Sequence, residues 1–99
     1  MKRKRRNMKY RRKVSTVEAF QLDRDSEINA PEWFTRAVKK EVIYFDRCIS
    51  DGAVHIYGCT INTGYGKLRA KIGDYIAKDN SGEIRPYKSK EFSRIFERL

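Results

Sequence analysis

The sequence has few of the residues from which small catalytic and metal sites are built. It holds one histidine, His55, and two cysteines, Cys48 and Cys59, which do not form a C-x-x-C motif. One imidazole and two thiols do not by themselves complete a four-ligand zinc site. We therefore interpret the cysteines as reduced thiols partly in the core. No spacing of acid, base and nucleophile points to catalysis, so we expect a protein that is not an enzyme, with no metal and no cofactor.

Long hydrophobic runs are also missing. No stretch approaches the roughly 18 apolar residues that a membrane span requires. The basic N-terminus is not followed by the apolar segment of a secretory signal. We therefore expect a cytoplasmic protein without a membrane partner.

Acidic residues are absent from the first thirteen positions, although the whole chain carries 13 of them. Nine of the 23 lysines and arginines lie in those positions, which leaves 14 cations against 13 acids in residues 14–99. Like charges in such a run repel one another and favour extended, disordered chain. The pattern predicts a flexible basic arm over residues 1–13 that binds DNA or RNA by displacing counterions from phosphates. The predicted nucleic-acid-binding residues are Lys2, Arg3, Lys4, Arg5, Arg6, Lys9, Arg11, Arg12 and Lys13.

The remaining residues, 14–99, are predicted to form a single compact domain. Val14–Leu22 is rich in β-forming residues, but its alternation slips near Ala19. The slip indicates either a strand covered on both faces or a bulge. Asp23–Ala30 is polar and predicts a loop.

Two helices are predicted. The first begins around Asn29 and Glu32, a pair with capping-box spacing. Trp33, on its apolar face, is more typical of a core anchor than of a base-stacking platform. The second follows Ser89 as a cap, and its apolar residues recur at helical spacing from Phe92 onward, so that face should pack on a sheet.

Strand patterns fill the region between the helices. Leu68–Tyr87 predicts three short strands joined by turns at Gly73–Asp74 and Asp79–Gly82. Val42–Phe45 predicts a further strand with a possible free edge. Strands and helices do not alternate along the chain, so a parallel sheet is not expected. We predict an α+β fold in which one small twisted antiparallel sheet of about five or six strands carries two short helices and the disordered basic arm.

Three segments together resemble a family of small phage and prophage proteins of unassigned function. Met8–Leu22, MKYRRKVSTVEAFQL, is similar to the family's opening MKYRKKP and its following strand ending in EAFQ or EAxQ. Pro31–Phe34 resembles its P-x-W-F helix. Gly73–Ile76, the pair Gly82–Glu83, Pro86 and the tail from Phe92 to Glu97 resemble its PGDYIIKG…GEFYPCKPDIFEKTYE.

The chain departs from this pattern at several points. Ile72 stands where the family has proline, Tyr87 where it has cysteine, and Ser89–Glu91 where it has Pro-Asp-Ile. The basic residues before Met8 lie outside the pattern. The resemblance implies the family's fold and a viral accessory gene, of the sort that often encodes inhibitors of host defence nucleases.

This setting favours a non-enzymatic phage-type accessory protein that binds and modulates or inhibits host machinery in the bacterial cytoplasm. Its partner would be a host protein or ribonucleoprotein, for example a nucleic-acid-bound defence nuclease, as for an anti-CRISPR protein. The channels of such nucleases carry lysine and arginine. The acidic loop at residues 23–27 is therefore a candidate docking element, although its carboxylates are more readily explained as solvated loop residues.

The alternative is a small DNA- or RNA-binding protein that uses its basic arm. Exposed tyrosines could then stack on the bases of a single strand. A free strand edge is compatible with a monomer or a homodimer. The candidate partner-binding residues are Asp23, Asp25, Glu27, Tyr57, Tyr65 and Tyr87.

Overall fold

The computed structural model describes the backbone of residues 8–12 and 15–98 and the side chains of residues 16–98. These residues form an α+β fold with two antiparallel sheets. The elements are β1 (Met8–Arg12), β2 (Ser15–Gln21), α1 (Ser26–Asn29), α2 (Glu32–Lys39), β3 (Ile43–Ser50), β4 (Ala53–Thr63), β5 (Gly66–Lys71), β6 (Tyr75–Lys78), β7 (Ile84–Tyr87), α3 (Ser89–Ile95) and β8 (Glu97–Arg98).

The larger sheet has five strands in the order β7-β6-β2-β1-β8. Its central strand is β2, where Ala19 is paired with Met8 on β1 and with Ala77 on β6. Met8–Arg12 is therefore a strand, whereas the sequence predicted flexible chain as far as residue 13. Pairing with β2 on one side and β8 on the other holds this segment, and local charge gives no sign of such long-range pairing. The rest of the predicted arm lies outside the described residues.

Both faces of the five-stranded sheet are covered. Phe20 and Ile76, paired across β2 and β6, belong to the main hydrophobic core. Val17 and Ala19 point to the opposite face, where they meet Phe92. Because the β2 pairing continues without a register shift, the slip near Ala19 reflects a doubly covered strand and not a bulge.

Helix α3 covers the second face, as predicted. Phe92 and Phe96 are buried there, and the Phe92 ring stacks on Tyr75 with ring centroids 4.3 Å apart. The predicted cap at Ser89 is wrong by one residue: Lys88 precedes the helix, and no side chain caps it.

The smaller sheet has three strands in the order β3-β4-β5. Its inner face buries Ile43, Ile61 and Ala70 against the main core. Phe34 of α2 joins them, with its ring 4.9 Å from that of Phe20. Trp33 packs edge-on against Phe20 at 5.8 Å, which confirms the core-anchor prediction.

Two sheets exist where the sequence predicted one. The predicted three-strand unit Leu68–Tyr87 is divided, because β5 pairs with β4 while β6 pairs with β2 and β7. The division falls at Gly73, whose φ of +98° suits glycine. Its N–H donates to the carbonyl of Leu22, and Leu22 N–H donates to the carbonyl of Asp74, both at 2.8 Å. The turn therefore passes the chain from one sheet to the other.

The helices also differ from the prediction. Three are present in residues 15–98 instead of two, because the predicted loop Asp23–Ala30 contains the short helix α1. Asn29 belongs to α1 and does not cap α2, which begins at Glu32 after Pro31 with no side-chain cap. The longest helix in this part of the chain has eight residues, and none is long and apolar enough to cross a bilayer.

Candidate nucleic-acid interface

The predicted nucleic-acid-binding residues divide between two parts of the chain. Lys9, Arg11 and Arg12 lie in β1, where Lys9 is paired with Glu18 and Arg11 with Thr16. The other six, Lys2, Arg3, Lys4, Arg5, Arg6 and Lys13, lie outside the described residues.

The predicted acidic loop is occupied with contacts inside the molecule. The Asp23 carboxylate accepts the N–H of Asp25 at 2.9 Å and the hydroxyl of Ser26 at 3.2 Å. Glu27 forms an ion pair with Arg47 of β3. These contacts start α1 and fasten it to the hairpin of β3 and β4. Two of the three predicted acidic residues, Asp23 and Glu27, therefore have partners inside the protein.

The three predicted tyrosines lie in different environments. Tyr87 is half-buried, with its ring centroid 5.9 Å from Phe92 and 5.3 Å from Phe96, so it belongs to the α3 core. Tyr57 is 52% exposed and Tyr65 is 94% exposed. Both of these exposed tyrosines lie on the three-stranded sheet or its connecting loop.

The outer face of that sheet carries a row of cations. On β5, Leu68 and Ala70 alternate with Lys67, Arg69 and Lys71. Ala70 is buried in the core, so the alternating side chains point away from the core, and all three are exposed. We call Lys67, Arg69 and Lys71 the basic row.

The neighbouring strands complete this face. Register places Tyr44 and Arg69 on either side of Thr60, and Asp46 and Lys71 on either side of Gly58. Lys67 Nζ lies 5.7 Å from the centroid of the Tyr44 ring, a cation–π distance that orients both side chains.

Asp46 is the acidic side chain of this face, and it is already engaged. Both of its carboxylate oxygens accept the Thr60 hydroxyl at 3.0 Å. Among residues 16–98, Arg69 and Lys71 form no ion pair. The basic row therefore keeps its positive charge available to an external anion.

One end of the basic row is marked by Tyr65. Thr63 and Gly66 pair to close a two-residue loop over Gly64 and Tyr65. The Thr63 hydroxyl donates to the carbonyl of Gly66 at 2.7 Å and accepts the N–H of Tyr65 at 3.1 Å. The loop backbone is fixed while the ring stays in solvent.

The other end is marked by a β-bulge. Asp46 pairs with Gly58 and Arg47 with Ile56, so Tyr57 is an extra residue on β4. A bulge increases local twist and re-aims side chains. Beyond it, β5 has ended at Lys71, and β3 and β4 continue as a two-stranded segment. We call this segment, Arg47–Ile56, the ribbon.

The two cysteines lie on opposite sides of this sheet. Cys59 is fully buried on the inner face. Burial, followed by the negative charges of Asp46 and Asp74, raises the pKa of the Cys59 thiol to about 12. Cys48 is exposed on the ribbon, paired across strands with His55. The prediction of two thiols partly in the core therefore holds for Cys59 and fails for Cys48.

Sequence reasoning missed the basic row as a site. The alternation of Lys67, Arg69 and Lys71 with apolar residues was visible and predicted the strand correctly. Because the first thirteen residues carry a dense run of positive charge, nucleic-acid binding was predicted there and not on β5. The missing information was that no second layer covers this face in the described part of the structure.

The sequence matches no protein-family model, and no curated protein and no solved structure is significantly similar to it. The resemblance to phage proteins therefore stays a prediction.

Proposed function

We propose that this protein binds single-stranded nucleic acid on the outer face of the three-stranded sheet, without catalysing a reaction. The observation that carries the proposal is the basic row, Lys67, Arg69 and Lys71, with exposed tyrosines at both ends. Such a combination supplies the two ingredients of sequence-tolerant binding: cations that follow the phosphates and rings on which bases stack.

The spacing of the row supports an extended strand as the ligand. Successive side chains on one face of a β-strand are separated by about 6.6–6.8 Å. This is comparable with the separation of neighbouring phosphates along an extended single strand. A duplex keeps its bases stacked inside, so it would leave the exposed rings of Tyr57 and Tyr65 unused.

Local charge, more than net charge, favours this face. Residues 14–99 are close to neutral overall, with 14 cations and 13 acids. Several exposed cations elsewhere are neutralised by neighbours, such as Arg36 by Glu32 at 2.9 Å and Arg85 by Glu83 at 2.7 Å. The basic row has no such neighbour among residues 16–98, so the field of this face is positive.

The proposal is tested with a variant that neutralises the row, Lys67→Gln/Arg69→Gln/Lys71→Gln. Binding to an internally labelled oligothymidylate is measured by fluorescence anisotropy over a series of salt concentrations. Each phosphate contact contributes about 0.7 to the slope of log K against log salt for a single strand. We expect the slope to fall by about 2 in the variant.

The control variant is Lys39→Gln/Lys40→Gln/Lys90→Gln, which removes the same charge from exposed positions at the end of α2, directly after it and in α3. It should keep a slope close to that of the parent chain. Equal slopes for the two variants would refute binding at the basic row, because the contribution would then come from net charge alone.

A second candidate function is the predicted accessory protein that docks on a host protein or ribonucleoprotein and inhibits it. The ribbon favours it. Ile49 and Val54 lie directly opposite each other across its strands, and they are 80% and 64% exposed. The outer edge of β3 is also unpaired within the described sheet. Exposed apolar pairs next to an open strand edge suit docking to another protein.

The ribbon variant Ile49→Thr/Val54→Thr separates the two functions. If the chain docks on a host protein through the ribbon, host proteins retained by the immobilised parent chain after nuclease treatment should be lost with this variant. Retention of the same proteins by both chains would exclude docking through the ribbon. Nucleic-acid affinity should be unchanged in either case.

A further inference from the structure

We propose that the binding face recognises a phosphorylated end of a nucleic-acid strand, in a cavity at the Lys71 end of the basic row. This inference rests on the proposed function and specifies the ligand of that site. The cavity has a volume of about 510 Å³. The polar and charged side chains that could contact a phosphate in this cavity are Arg24, Ser50, Asp51, His55, Tyr57 and Lys71.

The fold explains why a cavity forms at this place. Strand β5 ends at Lys71, opposite Gly58, so β4 loses its partner on that side. The bulge at Tyr57 bends the ribbon at the same level. The backbone of Lys71 is held in place, because its N–H donates to the buried Asp74 carboxylate at 2.9 Å. The basic row therefore leads from an open face into a hollow between the sheet and the ribbon.

The lining of the cavity suits a phosphate group. Arg24 and Lys71 are cationic side chains, and neither forms an ion pair with any residue in 16–98. Arginine presents several N–H donors in a planar fork that matches phosphate oxygens. His55 and the hydroxyls of Ser50 and Tyr57 add donors on the ribbon side.

The charge of the cavity favours an end over the interior of a strand. An internal phosphodiester carries one negative charge, whereas a terminal phosphate monoester carries about −1.5 to −2 near neutral pH. Two cations that line the same hollow stabilise the more highly charged group to a greater extent. The flat row beside it, with one cation for each step of about 6.6–6.8 Å, suits the singly charged backbone.

Asp51 is the acidic group among the described residues that line the cavity. It occupies the first position of the two-residue turn between β3 and β4, with φ of +52°, followed by Gly52 at +75°. Asparagine is favoured at this position of such a turn. Asp51→Asn therefore removes the repelling charge without disturbing the hairpin.

The test compares three internally labelled oligothymidylates of equal length: one with hydroxyl groups at both ends, one with a 5′-phosphate and one with a 3′-phosphate. We expect one phosphorylated form to bind about tenfold more tightly than the unphosphorylated strand, as one added charge-assisted contact would give. Arg24→Gln should abolish this preference, so that the phosphorylated and unphosphorylated strands bind with equal affinity. Asp51→Asn should increase the preference.

A footprint at Cys48 provides an independent readout. Cys48 is exposed and lines the same cavity, while Cys59 is buried with a pKa raised to about 12 and stays unreactive. Alkylation by iodoacetamide therefore reports on one site. The preferred phosphorylated strand should slow Cys48 alkylation more than the unphosphorylated strand does at equal occupancy.

The outcomes separate this inference from the proposed function. Equal affinity for all three strands would overturn end recognition and leave single-strand binding intact. A preference of equal size for both phosphorylated ends that persists in Arg24→Gln would be a general charge effect and would also overturn it. Failure of every strand to bind would overturn the proposed function itself.

Discussion

The two sheets of this protein differ in how their faces are covered. The five-stranded sheet is covered on one face by the main core and on the other by α3. The three-stranded sheet packs its inner face on the main core, and its outer face carries the exposed basic row. The difference separates two roles of side chains: those buried on both sides of β2 hold the fold, and the exposed cations of β5 are available to the ligand that we propose.

The sharpest contrast comes from one aromatic residue on each sheet. Phe20 lies fully buried where both sheets and α2 meet, so Phe20→Ala should lower the free energy of unfolding by about 3–5 kcal/mol. Tyr44 lies half-exposed on the outer face, and Tyr44→Ala should cost less than about 1 kcal/mol. Urea denaturation of both variants measures the difference. Equal losses would mean that the outer face contributes to the core after all.

A smaller effect is expected where the three-stranded sheet has no room for a side chain. A Cβ atom added at Gly58 would overlap the carbonyl oxygen of Ala70 on β5. Gly58→Ala should therefore destabilise the protein by about 1–3 kcal/mol by forcing β4 and β5 apart. It should also weaken oligonucleotide binding, because β5 carries the basic row.

Gly64→Ala is the matched control for this variant. Gly64 lies in the loop between β4 and β5, with no atom within 4 Å of an added Cβ. Its free energy of unfolding should stay within about 0.5 kcal/mol of the parent chain. If both glycine variants lowered the free energy of unfolding equally, Gly58 would not be required for the close approach of β4 and β5.

The smallest effect is expected at the ribbon. Ile49 and Val54 are exposed and contribute to neither core cluster. Ile49→Thr/Val54→Thr should change the free energy of unfolding by no more than about 0.5 kcal/mol, measured by the same urea titration. A larger loss would show that the ribbon packs on the body of the protein, and would remove the reason for assigning it a docking role.

Sequence patterns predicted what each element does with its own side chains. Leu68 and Ala70 alternate with charge and lie on the inner side of β5. Phe92 and Phe96 recur at helical spacing and pack on a sheet, although α3 ends at Ile95 and Phe96 follows it in an extended conformation. Both follow from local periodicity, which is set by backbone geometry.

Patterns did not predict which elements pair with each other. The turn at Gly73 was recognised, but nothing local indicates that it leads into a different sheet. The pairing of β1 with β8 joins residues such as Tyr10 and Arg98, which are far apart in sequence. The candidate interface was missed for the same reason, since an uncovered face is a property of the assembled layers and not of β5.

The outer edge of β3, which pairs with no strand in the described sheets, also bears on how the protein behaves at high concentration. Open edges are templates for strand addition and aggregation. Asp46 and Arg47 occupy the middle of this edge, and a copy related by a two-fold axis through either residue would place like charges directly opposite each other, which is unfavourable. The neighbouring bulge adds twist that spoils a flat edge-to-edge match. The charges and the bulge of β3 therefore disfavour edge-to-edge association between copies of this chain. The exposed side chains of β3 stay accessible to a partner of different sequence.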